Sequence, residues 1–292
     1  MSQIPSVPVA APVGLLPDPR RVCRALGRAV GEGSPGAAFL AAMARLLMER
    51  LADLRLSPQR VLELGCRSPA LTGALRERWP GVAVVRLAWG EPAARALVQA
   101  GRLEPGREGP VVVGGLERLP FAAATFDLVV SNMALHWARQ PVVALAEVAR
   151  VLRPEAPLFF TLAGEATLGE LARAVAAVDR ARHGRPLSRG LSLPSLSAVG
   201  EMMVAAGLAR PVVDRELLSP EFASLASLRR GLRSLGGGRL LFPPSAPLFE
   251  RELPQLLAAA LDQGRGTSTG GNGGGMRITV EVVAGHAWRG DG

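Results

Sequence analysis

The chain has no lysine and no tyrosine, and only two cysteines, three histidines and two isoleucines in 292 residues. Cys23 and Cys66 have no paired spacing and no neighbouring histidine that would complete a metal set, which argues against a disulfide framework or a metal site and for a reduced cytosolic protein. Aromatic residues make up 4% of the chain and do not alternate with basic ones, so the stacking platform of a nucleic-acid binder is missing and only net charge speaks for that function. No apolar run approaches the roughly 18 residues of a membrane span. The N-terminus is apolar and rich in proline, with no basic side chain before Arg20, so it lacks the charged start and helical stretch of a signal peptide.

What abounds is Ala, Arg, Gly, Pro, Leu and Val. Thirty-four basic against 25 acidic residues give a formal charge of +9, an excess that favours acidic partners such as nucleic acid, an anionic membrane or an acidic carrier protein. GC-rich codon usage produces the same arginine excess, and composition leaves both explanations open. With 48% hydrophobic residues, one main domain is the natural reading.

Along the chain, residues 1–17 read as a disordered leader and 18–288 as one domain. Within it, 18–56 are helical, with Phe39, Met43, Leu46, Leu47 and Leu51 on one face. Extended and helical signals then alternate over 57–165: strands at 60–64, 82–87, 111–113, 126–131 and 158–162, helices at 69–78, 91–100 and 142–152. Such alternation predicts a doubly wound α/β fold with a mostly parallel sheet covered on both faces. Residues 166–275 read as lid and substrate-side helices, with a strand at 210–218, helical patterns at 222–235 and 249–261, and a Gly/Ser/Thr-rich flexible loop at 264–275. A final strand over 276–288 would pair with 210–218 as a hairpin split by the lid.

The segment Val61-Leu-Glu-Leu-Gly-Cys-Arg-Ser-Pro69 is the outline of a strand-to-helix turn that presents its backbone to a nucleotide-like ligand, with Ser68 as N-cap and Pro69 in the first helical position. Together with Gly114-Gly-Leu-Glu-Arg-Leu-Pro-Phe121, Phe126-Asp-Leu-Val-Val-Ser-Asn-Met-Ala-Leu-His-Trp137 and Val151-Leu-Arg-Pro154, it resembles the class I S-adenosylmethionine-dependent methyltransferases. Phe160-Thr-Leu-Ala-Gly-Glu-Ala-Thr-Leu-Gly-Glu-Leu171, Ala177-Val-Asp-Arg-Ala-Arg-His-Gly184 and Val280-Glu-Val-Val-Ala-Gly-His-Ala-Trp288 narrow this: the chain is similar to the malonyl-acyl-carrier-protein O-methyltransferases of biotin synthesis over most of its length. The mitochondrial complex I assembly methyltransferase-like proteins share the Leu-His-Trp segment. The resemblance implies a seven-stranded Rossmann-like sheet with its last strand antiparallel, S-adenosylmethionine as cofactor, an acidic acyl carrier protein as partner, and a cytoplasmic enzyme with no metal. It also implies that Glu63, Gly65 and Cys66 hold the methionine portion of the cofactor, that Leu116 and Glu117 lie beside the adenine, and that Asn132, Met133 and Ala134 line the methyl-transfer side.

This chain departs from the pattern at named positions. Arg67 stands at the second glycine, Ala88 at the acid that accepts the ribose hydroxyls, Gly115 at the aspartate facing the adenine amino group, and Glu155-Ala156 at a Gly-Gly pair. Trp89 and Glu91 are candidates to stack on adenine and to reach the ribose instead. Methyl transfer to an ionised carboxylate needs no general base, but it does need a cation to hold that carboxylate, for which Arg182, Arg185 and Arg189 are the candidates. Two functions therefore stand: an active carboxyl methyltransferase, or a degenerate methyltransferase fold acting as a binding or assembly factor. If the altered loops are what weakens cofactor binding, Ala88→Asp combined with Arg67→Gly tightens it in calorimetric titration with S-adenosylhomocysteine.

Overall fold

The computed structural model describes residues 35–91, 94–95, 109–186, 193–237 and 276–290. The leader, the helical pattern at 249–261 and the loop at 264–275 lie outside them. Nine strands, β1 (Arg60–Leu64), β2 (Ala83–Trp89), β3 (Val111–Gly114), β4 (Leu128–Asn132), β5 (Pro157–Ala163), β6 (Leu208–Leu218), β7 (Glu221–Phe222), β8 (Met276–Arg277) and β9 (Val280–Arg289), are described. Seven of them form one sheet in the order β3-β2-β1-β4-β5-β9-β6. Strands β1 to β5 pair in parallel, and β9 is antiparallel to both β5 and β6, which is the sheet expected from the sequence.

The apolar runs that predicted buried strands fill both faces of the sheet. Val61, Val84, Leu128, Val130 and Phe159 face one core, completed by α1 (Pro35–Ala52) and α2 (Pro69–Arg78). Leu62, Leu87, Val129, Leu158 and Phe160 face the other, completed by α3 (Pro141–Val151) and α5 (Leu196–Ala205). Each fully buried side chain of this kind contributes about 1.5–3 kcal/mol. Helix α3 shows the local logic: Pro141 opens it, Ala144, Leu145, Val148 and Val151 form the buried stripe, and Leu152 before Arg153-Pro154 ends it.

A third, smaller core lies outside the sheet, where α4 (Gly169–His183) meets α6 (Leu225–Ser234) and the β7/β8 pair. Two boundaries differ here from the sequence reading. Residues 222–235 are not helical throughout: Phe222 pairs with Met276 in β7/β8, and the helix starts only after Ser224, whose hydroxyl accepts from the Ser227 amide. The terminal strand is broken at Ile278-Thr279, because the Leu168 amide donates to the Thr279 carbonyl and the Thr279 amide donates to Glu170, drawing those peptides away from the sheet. Glu155, standing where the family pattern has glycine, still takes the left-handed backbone a glycine would, with φ 61°.

Gly285 on β9 sits opposite Phe160 on β5, and a Cβ there would lie 2.4 Å from the ring. Gly73 on α2 faces open space. Gly285→Ala is expected to cost about 1–3 kcal/mol and Gly73→Ala to add about 0.4–1 kcal/mol, moving the urea unfolding midpoint in opposite directions.

Candidate active site

In a doubly wound sheet the crevice opens outside the carboxyl ends of the strands where the strand order reverses, here between β1 and β4. A cavity of about 320 Å³ lies there. Its walls come from the start of α1, Arg67 of the turn after β1, the stretches after β4 and β5, the β7 segment with the exposed Glu221, Ile278 and Val280 before and in β9, and α6, which lays Leu228 and Leu232 over it. Glu63, Gly65, Cys66, Leu116, Glu117 and Asn132 are not among the lining residues. Helix α6 is closed down at its end: the Gly36 amide donates to Ser234 Oγ at 2.9 Å, and a Cβ on Gly36 would meet the Ser234 carbonyl at 2.6 Å. Within residues 166–275, α6 is in contact with α1.

The turn after β1 keeps its expected form. Gly65 adopts φ 75°, and the amides of both Gly65 and Cys66 donate to the Leu87 carbonyl at 3.0 Å, tying the turn to β2. Glu63 is buried and accepts from the Thr72 hydroxyl, Cys66 is buried, and the Ser68 hydroxyl caps α2. Arg67 is only 9% exposed. Its guanidinium donates to the Leu235 carbonyl at 2.5 Å and to the Met133 carbonyl at 3.5 Å. Both partners lie on the β4 side of the turn, so the side chain leaves clear the β2 side, where Ala88 lies. Burial without a facing carboxylate lowers its pKa to about 10, which still leaves it a cation at neutral pH.

After β4 the chain holds Asn132 by both ends of its amide: Nδ2 donates to the Leu40 carbonyl at 2.8 Å and Oδ1 accepts from the Thr161 hydroxyl at 3.2 Å. Asn132 therefore joins β4 to α1 and β5, with Met133 next in line as a cavity wall in left-handed backbone at φ 52°. His136 and Trp137, in a single 3-10 turn, also line the cavity. The His136 ring nitrogen Nδ1 accepts from the Ala163 amide at 3.4 Å. Its surface opens only partly, and desolvation, reinforced by the charge of Arg67, drives its pKa from 6.5 down to about 3. It is a neutral acceptor and not an acid at working pH.

The β2 and β3 ends carry the other predicted residues. Ala88 is fully buried beside Cys66 and Ala94. Trp89 packs into the core with Leu116 and Leu119. Glu91 is exposed and paired with Arg95 at 2.5 Å. Gly115 forms a bridge with Arg118 and has open space where a side chain would be. Leu116 is fully buried, while one oxygen of Glu117 accepts from the Arg139 amide at 2.7 Å and steadies the start of α3. Of the predicted carboxylate holders, Arg182 lies in α4, Arg185 is exposed just beyond that helix, and Arg189 is outside the described residues. Among the described residues, the arginine that lines the cavity is Arg67, which in sequence stood only as a departure from a glycine. Its signal was its position: one turn past a buried strand, in a segment otherwise made of small residues.

Because the folded state holds His136 neutral, the unfolded chain binds a proton more readily below pH 6.5, and this residue's share of stability, complete above that value, is lost as pH falls from 6.5 towards about 3. His136→Gln is expected to flatten the pH dependence of the urea midpoint across that window.

A protein-family model described as a methyltransferase domain matches residues 62–160, the stretch from β1 through β5. The YcgJ protein from Bacillus subtilis superposes with a TM-score of 0.55 at 19% identity, covering 85% of this chain and 99% of that one, a likeness of fold. The malonyl-[acyl-carrier protein] O-methyltransferase of Methylovorus sp. (strain MP688) is 33% identical over 93% of this chain and 89% of its own length. That of Laribacter hongkongensis (strain HLHK9) is 32% identical over 93% and 90%. Likeness at that level over 93% of the chain places it in the malonyl-[acyl-carrier protein] O-methyltransferase family.

Proposed function

We propose that this enzyme transfers a methyl group from S-adenosylmethionine to the free carboxylate of a malonyl thioester carried by an acidic acyl carrier protein, in the cytoplasm. The observation that carries the reading is the end-to-end likeness to relatives of that name, 33% identity over 93% of the chain. The cavity at the reversal of strand order gives the chemistry its place.

The residues present suit the amino-acid end of the cofactor. The turn at Gly65 is intact, the Arg67 side chain departs towards β4, and a buried N–H of its guanidinium is without a partner. Glu63, Gly65, Cys66, Asn132 and Met133 would hold or shape that end, with Leu116 and Glu117 beside the adenine. S-adenosylmethionine, when bound, supplies an electrophilic methyl group on a cationic sulfur. The acceptor carboxylate is ionised at neutral pH, so no side chain has to remove a proton, in keeping with the low basicity of His136. What the chain contributes is alignment and exclusion of water. The apolar walls around Phe39, Met133, Leu228 and Leu232 would favour such a transfer, because a reaction in which a positive and a negative charge cancel is helped by exclusion of water.

The outer face of α6 carries the exposed Arg229, Arg230 and Arg233 above the leucines that roof the cavity. This basic roof suits an acidic carrier delivering its acyl group beneath it. No helix among the described residues is long and apolar enough to cross a membrane.

Incubation with S-adenosylmethionine and malonyl-acyl carrier protein is expected to add one methyl group to the carrier's acyl chain, read by intact mass. An unchanged mass, with no binding of S-adenosylhomocysteine by calorimetry, would overturn the proposal in favour of a binding or assembly role. Charge reversal at Arg229 and Arg230 is expected to raise KM for the carrier-bound substrate several-fold and to leave malonyl-pantetheine unaffected, since rim charges act on encounter with the carrier.

A further inference from the structure

Several arginines among the described residues sit against a carboxylate. Arg50 pairs with Asp214, Arg150 with Glu147, Arg153 with Asp127 and Arg210 with Glu155, all on more exposed side chains. Arg67 is more buried than any of these and is met, among the described residues, by two carbonyls and no carboxylate. Its Nε–H has no partner, and neither does the buried indole N–H of Trp137. Both residues line the same largely apolar cavity. A desolvated cation and a second orphaned donor in one apolar enclosure are costly unless an anion with two acceptor atoms completes them. The Leu235 and Met133 carbonyls, one following α6 and one following β4, both accept from the guanidinium, which orients it before any ligand arrives.

We infer that Arg67 and Trp137 Nε1 form the carboxylate anchor of this cavity. The inference rests on the cavity being the site of methyl transfer. The carboxylate has two possible sources, the acceptor's free carboxyl group and the cofactor's amino-acid end. In either case a guanidinium has taken over, by side chain, a position where the family pattern has a glycine.

The test compares binding of malonyl-pantetheine and acetyl-pantetheine, which differ by the carboxylate, and of S-adenosylhomocysteine and 5′-methylthioadenosine, which differ by the amino-acid portion. Each is titrated into wild type, Arg67→Gln, Arg67→Lys and Trp137→Phe. Loss of a charge-assisted hydrogen bond corresponds to about 10- to 100-fold in affinity. Arg67→Gln is expected to cut one of the two preferences by that factor, malonyl over acetyl if the acceptor is held, S-adenosylhomocysteine over methylthioadenosine if the cofactor is. Arg67→Lys is expected to restore part of it, and Trp137→Phe to lower the same preference by a smaller factor. A purely structural role for Arg67, as a tie between lid and turn, would weaken all four ligands together and leave both preferences unchanged, which would overturn the inference. Wild type that binds S-adenosylhomocysteine and methylates the carrier while Arg67→Gln keeps both preferences would sink the anchor alone; wild type that binds none of the four ligands would sink the functional reading on which it rests.

Discussion

The parallel pairing of β1 with β4 at the middle of the sheet is the constraint on which the site depends. Val61 to Leu64 stand beside Leu128 to Ser131 in register, with the Ser131 hydroxyl donating to the Leu64 carbonyl across the pair. Since the chain runs outward to β2 and β3 on one side and to β5, β9 and β6 on the other, the turns leaving β1 and β4 diverge. Asn132 then fixes the width of that gap by tying β4 to α1 and β5 at once. A buried amide with both ends satisfied is a rigid spacer, because loosening either bond leaves a polar group dry.

Around this frame the residues predicted to face a ligand have unequal surroundings. The β4 side is intact in form, with Asn132, Met133, His136 and Trp137 all set by backbone or buried contacts. On the β2 side Ala88, where the resemblance leads one to expect an acid, packs against Cys66 and Ala94. Arg67 couples the two regions, since its backbone belongs to the β1 turn while its guanidinium reaches the lid and the β4 exit. The structure thereby separates two departures that looked alike in sequence. Ala88 removes a carboxylate from a buried place, whereas Arg67 adds a cation on the other side of the turn. A methyl transfer that needs no proton shuttle tolerates such drift more readily than acid–base chemistry would, because alignment and dryness can be kept by the shape of the cavity.

The basic composition also resolves into parts. Several arginines are consumed by local ion pairs, and Arg150 is held by Glu147 together with the Leu119 and Phe121 carbonyls. Others, such as Arg229 and Arg230, stand exposed on the lid. Net charge alone could not distinguish these, because it counts a cation buried against carbonyls and a cation in water equally.

Periodicity sufficed for the sheet and its covering helices. Val61, Leu62, Leu64, Leu128, Val129 and Val130 announce strands buried on both faces, and Ser68-Pro69 announces where a helix begins, since these signals depend on neighbours a few residues away. The resemblance carried by the β1 turn and the Leu-His-Trp segment was likewise readable from the chain. The break at Thr279, the β7/β8 pair, the commitment of Asn132 to Leu40 and Thr161, and the direction taken by Arg67 were not. Each of these depends on a partner many tens of residues distant. Whether a guanidinium blocks a turn or reaches past it is decided by which carbonyls the folded chain brings within hydrogen-bonding distance, and local sequence contains no record of them.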